Sequence, residues 1–162
     1  MIRAKEQLMR FVKIYSFEQD QTRIDAMRKA SLSATDFGVS SLPALVGTPE
    51  WWRATQDGSL SRMIVSGTIS RVYWGSMGDW PECEVTSDDG SKSTWTREGD
   101  ITRYVEGLEV RIIYVLHPWK VSDQEYRHGG PSKIVLTVEI EDSDRRSDSQ
   151  APGPGGIGLS RK

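Results

Sequence analysis

Histidine and cysteine, the side chains that most often bind metals or act as bases and nucleophiles, are scarce in this sequence. It contains two histidines, His117 and His128, and one cysteine, Cys83. A structural zinc site needs four ligands, commonly at short spacings, and no CxxC, HxxxH or HExxH pattern occurs. The sequence therefore predicts no metal site and no cofactor, and a single thiol excludes an intrachain disulfide.

Catalysis would depend on one of these few residues. A hydrolase that uses His117 or His128 is the third hypothesis for the function, behind two binding functions. A Cys83–His117 pair would require the thiol to lie within hydrogen-bond reach of its base. However, Cys83 alternates with Glu82 and Glu84 in a strand-like segment, which predicts a buried and inert thiol. The sequence thus favours a protein that is not an enzyme.

Aromatic and basic residues in the middle of the chain suit another chemistry, the binding of single-stranded nucleic acid. Small β-barrels stack bases on exposed rings while Lys and Arg contact the phosphates. The candidates for such a surface are Tyr73, Trp74, Trp80, Arg97 and Arg103. The net charge of the chain is −2, whereas nucleic-acid binders usually present a basic face. Nucleic-acid binding is therefore the alternative hypothesis.

The long segment 118–132 offers residue types that dominate protein–protein interfaces. Loops of this length without secondary structure are often functional, and Trp, Tyr and Arg are enriched in interface hot spots. We predict a partner-binding surface that comprises Trp119, Lys120, Tyr126 and Arg127 in this loop, together with Trp52 from the N-terminal part. The simpler alternative is an ordinary loop whose Trp119 folds back onto the protein's own core.

Strand patterns in the middle of the chain provide the framework for these residues. Five strands are predicted, at residues 62–74, 82–87, 91–97, 108–117 and 133–141. The Asp88-Asp89-Gly90 turn predicts a hairpin in which Cys83 faces Trp95. Gly67, in the first strand, predicts a bulge or a sharp bend.

The fourth predicted strand, residues 108–117, is apolar on both faces, which predicts that both faces are covered. Helices in the N-terminal part are the candidates for its outer cover. Residues 4–15 have apolar side chains at helical spacing, although residues 10–17 also suit a strand. A second helix is predicted at residues 20–32. A third begins at Thr48-Pro49 and ends at Asp57-Gly58.

Together these patterns predict an α+β, mainly β fold. It consists of a small five-stranded antiparallel barrel, OB-like or SH3-like, with N-terminal helices packed on it. The predicted organisation is a helical segment at residues 1–60, the barrel domain at 61–141 and a flexible tail at 142–162. The tail is rich in Pro, Gly and Ser and carries little apolar side chain, which predicts disorder.

The composition is typical of a soluble, intracellular protein. Apolar residues make up 36% of the chain, and no apolar run approaches the roughly 20 residues that cross a bilayer. A basic N-terminus would be compatible with mitochondrial targeting, but Glu6, Glu18, Asp20 and Asp25 weigh against it. The predicted function is a non-enzymatic β-barrel binding module, a structural or adaptor subunit that has a protein partner in a larger assembly.

Overall fold

The computed structural model describes residues 10–121 and 129–142. These residues form six β-strands and two α-helices, joined in places by short 3-10 turns. In chain order the elements are β1 (Phe11–Ser16), α1 (Gln21–Leu32), α2 (Pro49–Asp57), β2 (Arg62–Gly75), β3 (Trp80–Ser87), β4 (Lys92–Thr96), β5 (Glu109–His117) and β6 (Ser132–Glu141). No helix in these ranges has the length and apolar character needed to cross a membrane.

The six strands form one antiparallel sheet in the order β1-β6-β5-β2-β3-β4. The edge strands β1 and β4 do not pair with each other within the described ranges, so the sheet is not closed. The mainly β, α+β class is confirmed. The expectation of a closed five-stranded barrel, OB-like or SH3-like, is corrected to an open sheet of six strands.

The additional strand is β1, from the segment in which helix and strand patterns competed. It pairs with β6 from Phe11↔Glu141 to Ser16↔Thr137, and Tyr15 is buried. The helix predicted at residues 4–15 is therefore wrong from residue 11 onward, and residues 1–9 lie outside the described part. Backbone pairing along the open edge of β6 outweighs the local helical spacing, as tertiary context often does.

Strand β2 is long because it serves two neighbours. Its first half pairs with β5 and its second half with β3. Gly67 lies where the two pairings overlap, opposite both Ser87 and Val110. A β-carbon at Gly67 would collide with the carbonyl group of Thr86, so this glycine permits a close backbone approach. The register shift itself comes later, between Ile69 and Arg71.

The hairpin of β3 and β4 has the predicted register. Cys83 pairs with Trp95, and Ser87 donates its backbone N–H to the carbonyl oxygen of Ser91 at 2.8 Å. Both Cys83 and Trp95 are buried. The prediction that Trp95 belongs to the core is therefore confirmed.

The sheet curls strongly even though it does not close. Strands β4 and β5 are separated by β3 and β2, which in a flat sheet would place them about 14 Å apart. Nevertheless the ring centroids of Trp95 in β4 and Tyr114 in β5 are 4.8 Å apart. The inner face of the curled sheet therefore encloses one part of the hydrophobic core, which includes the contact between Trp95 and Tyr114.

The other face of β5 is covered by the N-terminal part. Val115 and His117 are fully buried, and His117 is hydrogen-bonded to Trp51 of α2. Helix α2 begins as predicted, because the Thr48 side chain accepts a hydrogen bond from the backbone N–H of Trp51. The prediction that both faces of this strand are covered is confirmed.

The boundary proposed between residues 60 and 61 stays a prediction, and residues 143–162 of the predicted tail lie outside the described part.

A candidate partner-binding surface at the hairpin of β2 and β3

The connection between β2 and β3 is a tight turn that holds an apolar side chain in solvent. Gly75 pairs with Trp80 across the turn, and Ser76 and Met77 both have positive φ angles, 44° and 58°. Residues other than glycine adopt such angles uncommonly. The Met77 side chain is completely exposed. The turn thus presents a flexible, polarisable side chain at the end of a paired hairpin.

Two tryptophans flank this turn, and both are about half exposed. The exposed fractions are 55% for Trp74 and 47% for Trp80. The Trp74 ring lies 5.1 Å from the guanidinium carbon of Arg97, and the Trp80 indole N–H donates to the hydroxyl of Thr96 at 2.9 Å. Both rings are therefore oriented before any partner arrives, which lowers the entropic cost of binding.

The arginine beneath Trp74 is buried. Arg97 is only 9% exposed, and its Nη2 donates to the backbone carbonyl oxygen of Tyr73 at 3.2 Å. The Tyr73 ring in turn contacts the guanidinium of Arg71 at 4.1 Å. The structure thus brings together four of the five residues of the nucleic-acid hypothesis. The fifth, Arg103, is half-buried in the Ile101–Arg103 turn.

A groove of about 630 Å³ runs beside the hairpin, between the end of β1 and the end of β4. Its lining includes Tyr15, Arg23, Asp79, Trp80, Arg97 and Glu98. Arg23 of α1 forms an ion pair with Glu98, which lies just after β4. This pair joins helix α1 to the segment that follows the edge strand β4. Burial raises the pKa of Glu98 even though the Arg23 guanidinium opposes this effect.

The predicted partner-binding residues that the structure describes make contacts within the protein. Trp52 is half-buried and packs against the rings of Phe17 and Trp51. The Trp119 indole N–H donates to the carbonyl oxygen of Gly130 at 3.0 Å.

Lys120 donates to the carbonyl oxygens of Ala30 and Ser33, each at 2.9 Å, at the end of α1. Tyr126 and Arg127 lie outside the described residues. The role of this set in partner binding stays a prediction.

The residues singled out for catalysis occupy structural positions where the structure describes them. His117 is completely buried, and burial lowers its pKa. Cys83 is also buried, and burial raises its pKa to about 11, which keeps the thiol protonated at neutral pH. His128 lies outside the described residues. Within residues 10–121 and 129–142, no group of three or more His, Cys, Asp or Glu side chains is arranged to hold a metal ion.

The sequence pattern indicated Trp74 and Trp80 only as candidates for nucleic-acid binding, and it indicated neither Met77 nor the groove. The segment 75–81 reads as a loop, and its glycines were the only signal that it makes a tight turn. The groove depends on contacts between residues far apart in the chain, such as Arg23 and Glu98, which are separated by 75 positions.

Comparison with known proteins identifies a family. No curated protein matches the chain. The family model described as immunity protein RhsI2 matches residues 9–141, a range that includes all six strands and both helices. An immunity protein implies a protein partner, its cognate toxin, which agrees with the predicted protein-binding role and gives no support to nucleic-acid binding. Because the match extends over most of the sequence, the chain belongs to the RhsI2 immunity protein family.

Proposed function

We propose that this protein binds its cognate toxin directly and blocks the toxin's action, with the hairpin of β2 and β3 at the centre of the contact. The observation that carries this proposal is the joint exposure of Trp74, Met77 and Trp80 on one hairpin. Clustered exposed apolar side chains commonly mark interaction sites. Tryptophan and methionine are also enriched at protein interfaces.

Other exposed apolar residues form a weaker candidate. Leu32, Phe37 and Leu42 are each about 70% exposed and lie in or after the end of α1. Leucine is under-represented among interface hot spots, whereas Trp and Arg are over-represented. The hairpin also adjoins the groove, and the charged side chains of the groove would fix the orientation of a partner that binds through apolar contacts. The hairpin therefore fits a specific partner better.

The experiment compares toxin affinity for purified variants by calorimetry. Met77→Ala and Trp80→Ala should each weaken binding by about tenfold or more, as expected for loss of a hot-spot side chain. Leu42→Ala is the control, because it removes an exposed apolar side chain elsewhere on the protein and should leave affinity unchanged. Circular dichroism and melting temperature verify that each variant is folded.

A second measurement tests the biological consequence. Cells that produce the toxin should survive with wild-type protein or Leu42→Ala and lose viability with a combined Trp74→Ala, Met77→Ala, Trp80→Ala variant. Unchanged affinity in this triple variant would reject the hairpin as the contact. If the wild-type protein itself failed to bind the toxin, direct neutralisation would be wrong.

The predictions made from the sequence require experiments of their own. Trp119→Ala combined with Arg127→Ala tests the 118–132 segment as a second contact with the toxin. Recovery of bound material from a lysate with and without nuclease tests the nucleic-acid alternative. The predicted intracellular location, and membership in a larger assembly, remain proposals that fractionation and sizing of the native complex would test.

A further inference from the structure

The guanidinium of Arg97 is buried without a full set of hydrogen-bond partners among the residues that the structure describes. The residue is 9% exposed, and its Nε is shielded from solvent and has no partner among residues 10–121 and 129–142. In the described part of the chain, Nη2 donates to the carbonyl oxygen of Tyr73, and no carboxylate lies within ion-pair distance. Most buried polar groups in proteins are hydrogen-bonded, so this group requires an explanation.

Two of the carboxylates that line the groove, Glu98 and Asp20, interact with other residues. Glu98 forms its ion pair with Arg23. Asp20 accepts hydrogen bonds from the Tyr15 hydroxyl at 2.8 Å and from the backbone N–H of Arg23. A buried charge without a counter-ion lowers stability. The Arg97 guanidinium therefore has a charge and a hydrogen-bond donor that the described residues do not satisfy.

The surroundings of Arg97 suit a ligand that combines a charge with apolar contact. Arg97 lines the 630 Å³ groove together with Trp80 and Pro81. The Trp74 ring lies over the guanidinium. A carboxylate placed in this groove against Arg97 would form a charge-assisted hydrogen bond, which is stronger than a neutral one.

We propose that Arg97 receives an aspartate or glutamate side chain of the toxin, and that this ion pair determines which toxin is bound. The inference rests on the proposed function, because it assigns a specific contact to the same surface. A single carboxylate fits better than a nucleic-acid backbone. Three acidic side chains, Asp20, Asp79 and Glu98, line the same groove and disfavour a ligand that carries many phosphates in a row.

The test is a double-mutant cycle between this protein and its toxin, with affinity measured by calorimetry. On this side the variants are Arg97→Met, which removes the charge, and Arg97→Lys, which keeps it. On the toxin side each surface Asp or Glu is changed to Asn or Gln in turn. Arg97→Met should weaken binding by about tenfold or more, and Arg97→Lys by less.

One toxin carboxylate should be coupled to Arg97. Its neutralisation should weaken binding to the wild-type protein but have little further effect on Arg97→Met. Additive effects for every toxin carboxylate, or affinity of a folded Arg97→Met within about twofold of wild type, would overturn the proposal. Binding that is lost on nuclease treatment would also overturn it, in favour of a phosphate ligand.

The toxin-side series keeps the test decisive if Arg97→Met does not fold. That series uses the wild-type immunity protein, and at least one neutralised carboxylate must weaken binding by about tenfold. If none does, the proposal is wrong. If the Met77→Ala and Trp80→Ala variants lose affinity while Arg97→Met does not, the hairpin surface stands and only the role of Arg97 is rejected.

Discussion

The Trp51 indole donates its N–H to Nδ1 of His117 across 3.2 Å, with both rings completely buried. The other imidazole nitrogen, Nε2, lies 2.7 Å from the carbonyl oxygen of Ser40. A carbonyl oxygen can only accept, so Nε2 carries the proton and Nδ1 is the acceptor. The neutral tautomer of His117 thus links helix α2, strand β5 and the segment that joins the two helices.

This relationship predicts that acid destabilises the fold. Burial lowers the pKa of His117 below its ordinary value of 6.5, so near that pH the unfolded chain binds a proton that the folded chain does not. The stabilising effect of the neutral ring is complete above pH 6.5 and is lost as the pH falls below it. Urea unfolding at pH 7.5 and pH 5.5 should show the lower stability at the acidic value.

The control for this effect is His117→Asn, which should be less stable at both pH values. The decrease in stability between pH 7.5 and pH 5.5 should be smaller in this variant, because residue 117 no longer titrates. An equal pH dependence in wild type and variant would mean that titratable groups other than His117 cause the loss of stability in acid.

Trp95 should contribute far more to stability than the exposed tryptophan next to the groove. Trp95→Ala removes a ring that is 5% exposed and packs on Tyr114, so it should cost about 3–5 kcal/mol. Trp80→Ala should cost less than about 1 kcal/mol, since its ring is half in solvent. Equal losses in chemical denaturation would mean that the inner face of the sheet does not form the core described above.

The ion pair between Arg23 and Glu98 should show strong coupling. The Glu98 side chain is 8% exposed while that of Arg23 is 36% exposed, so Arg23→Met leaves a buried carboxylate without its counter-ion. We expect a loss of about 1.5–3 kcal/mol. The double variant Arg23→Met, Glu98→Gln should lose less than Arg23→Met alone, because the buried charge is then absent. Additive losses in thermal unfolding would show that the pair is not coupled.

Lys120 should act on stability rather than on toxin binding. Its ammonium group satisfies carbonyl groups at the carboxyl end of α1, where a positive charge is favourable. Lys120→Met should therefore cost about 1 kcal/mol, whereas Lys29→Met, at an exposed position of the same helix end, should cost less. Reduced toxin affinity with unchanged melting temperature would instead assign Lys120 to the interface.

Local signals in the sequence were sufficient for several parts of the fold. The Asp88-Asp89-Gly90 turn set the register that places Cys83 opposite Trp95. Thr48 and Pro49 marked the start of α2. The apolar residues on both faces of β5 indicated two covering layers. Each of these features depends on residues that are close in sequence, so the pattern contains the necessary information.

Contacts between residues that are distant in sequence decided the other parts of the fold. Residues 11–16 joined the sheet because β6 had an unpaired edge. No pattern within residues 11–16 indicates that this edge exists. The curl that brings Trp95 to Tyr114 and Arg23 to Glu98 arises from the twist and register shifts of the whole sheet. Arg97 is buried and Met77, in the turn between β2 and β3, is exposed. The sequence by itself therefore determined the hairpin, the helix start and the doubly covered strand, whereas only the tertiary structure decided the surface that we propose binds the toxin.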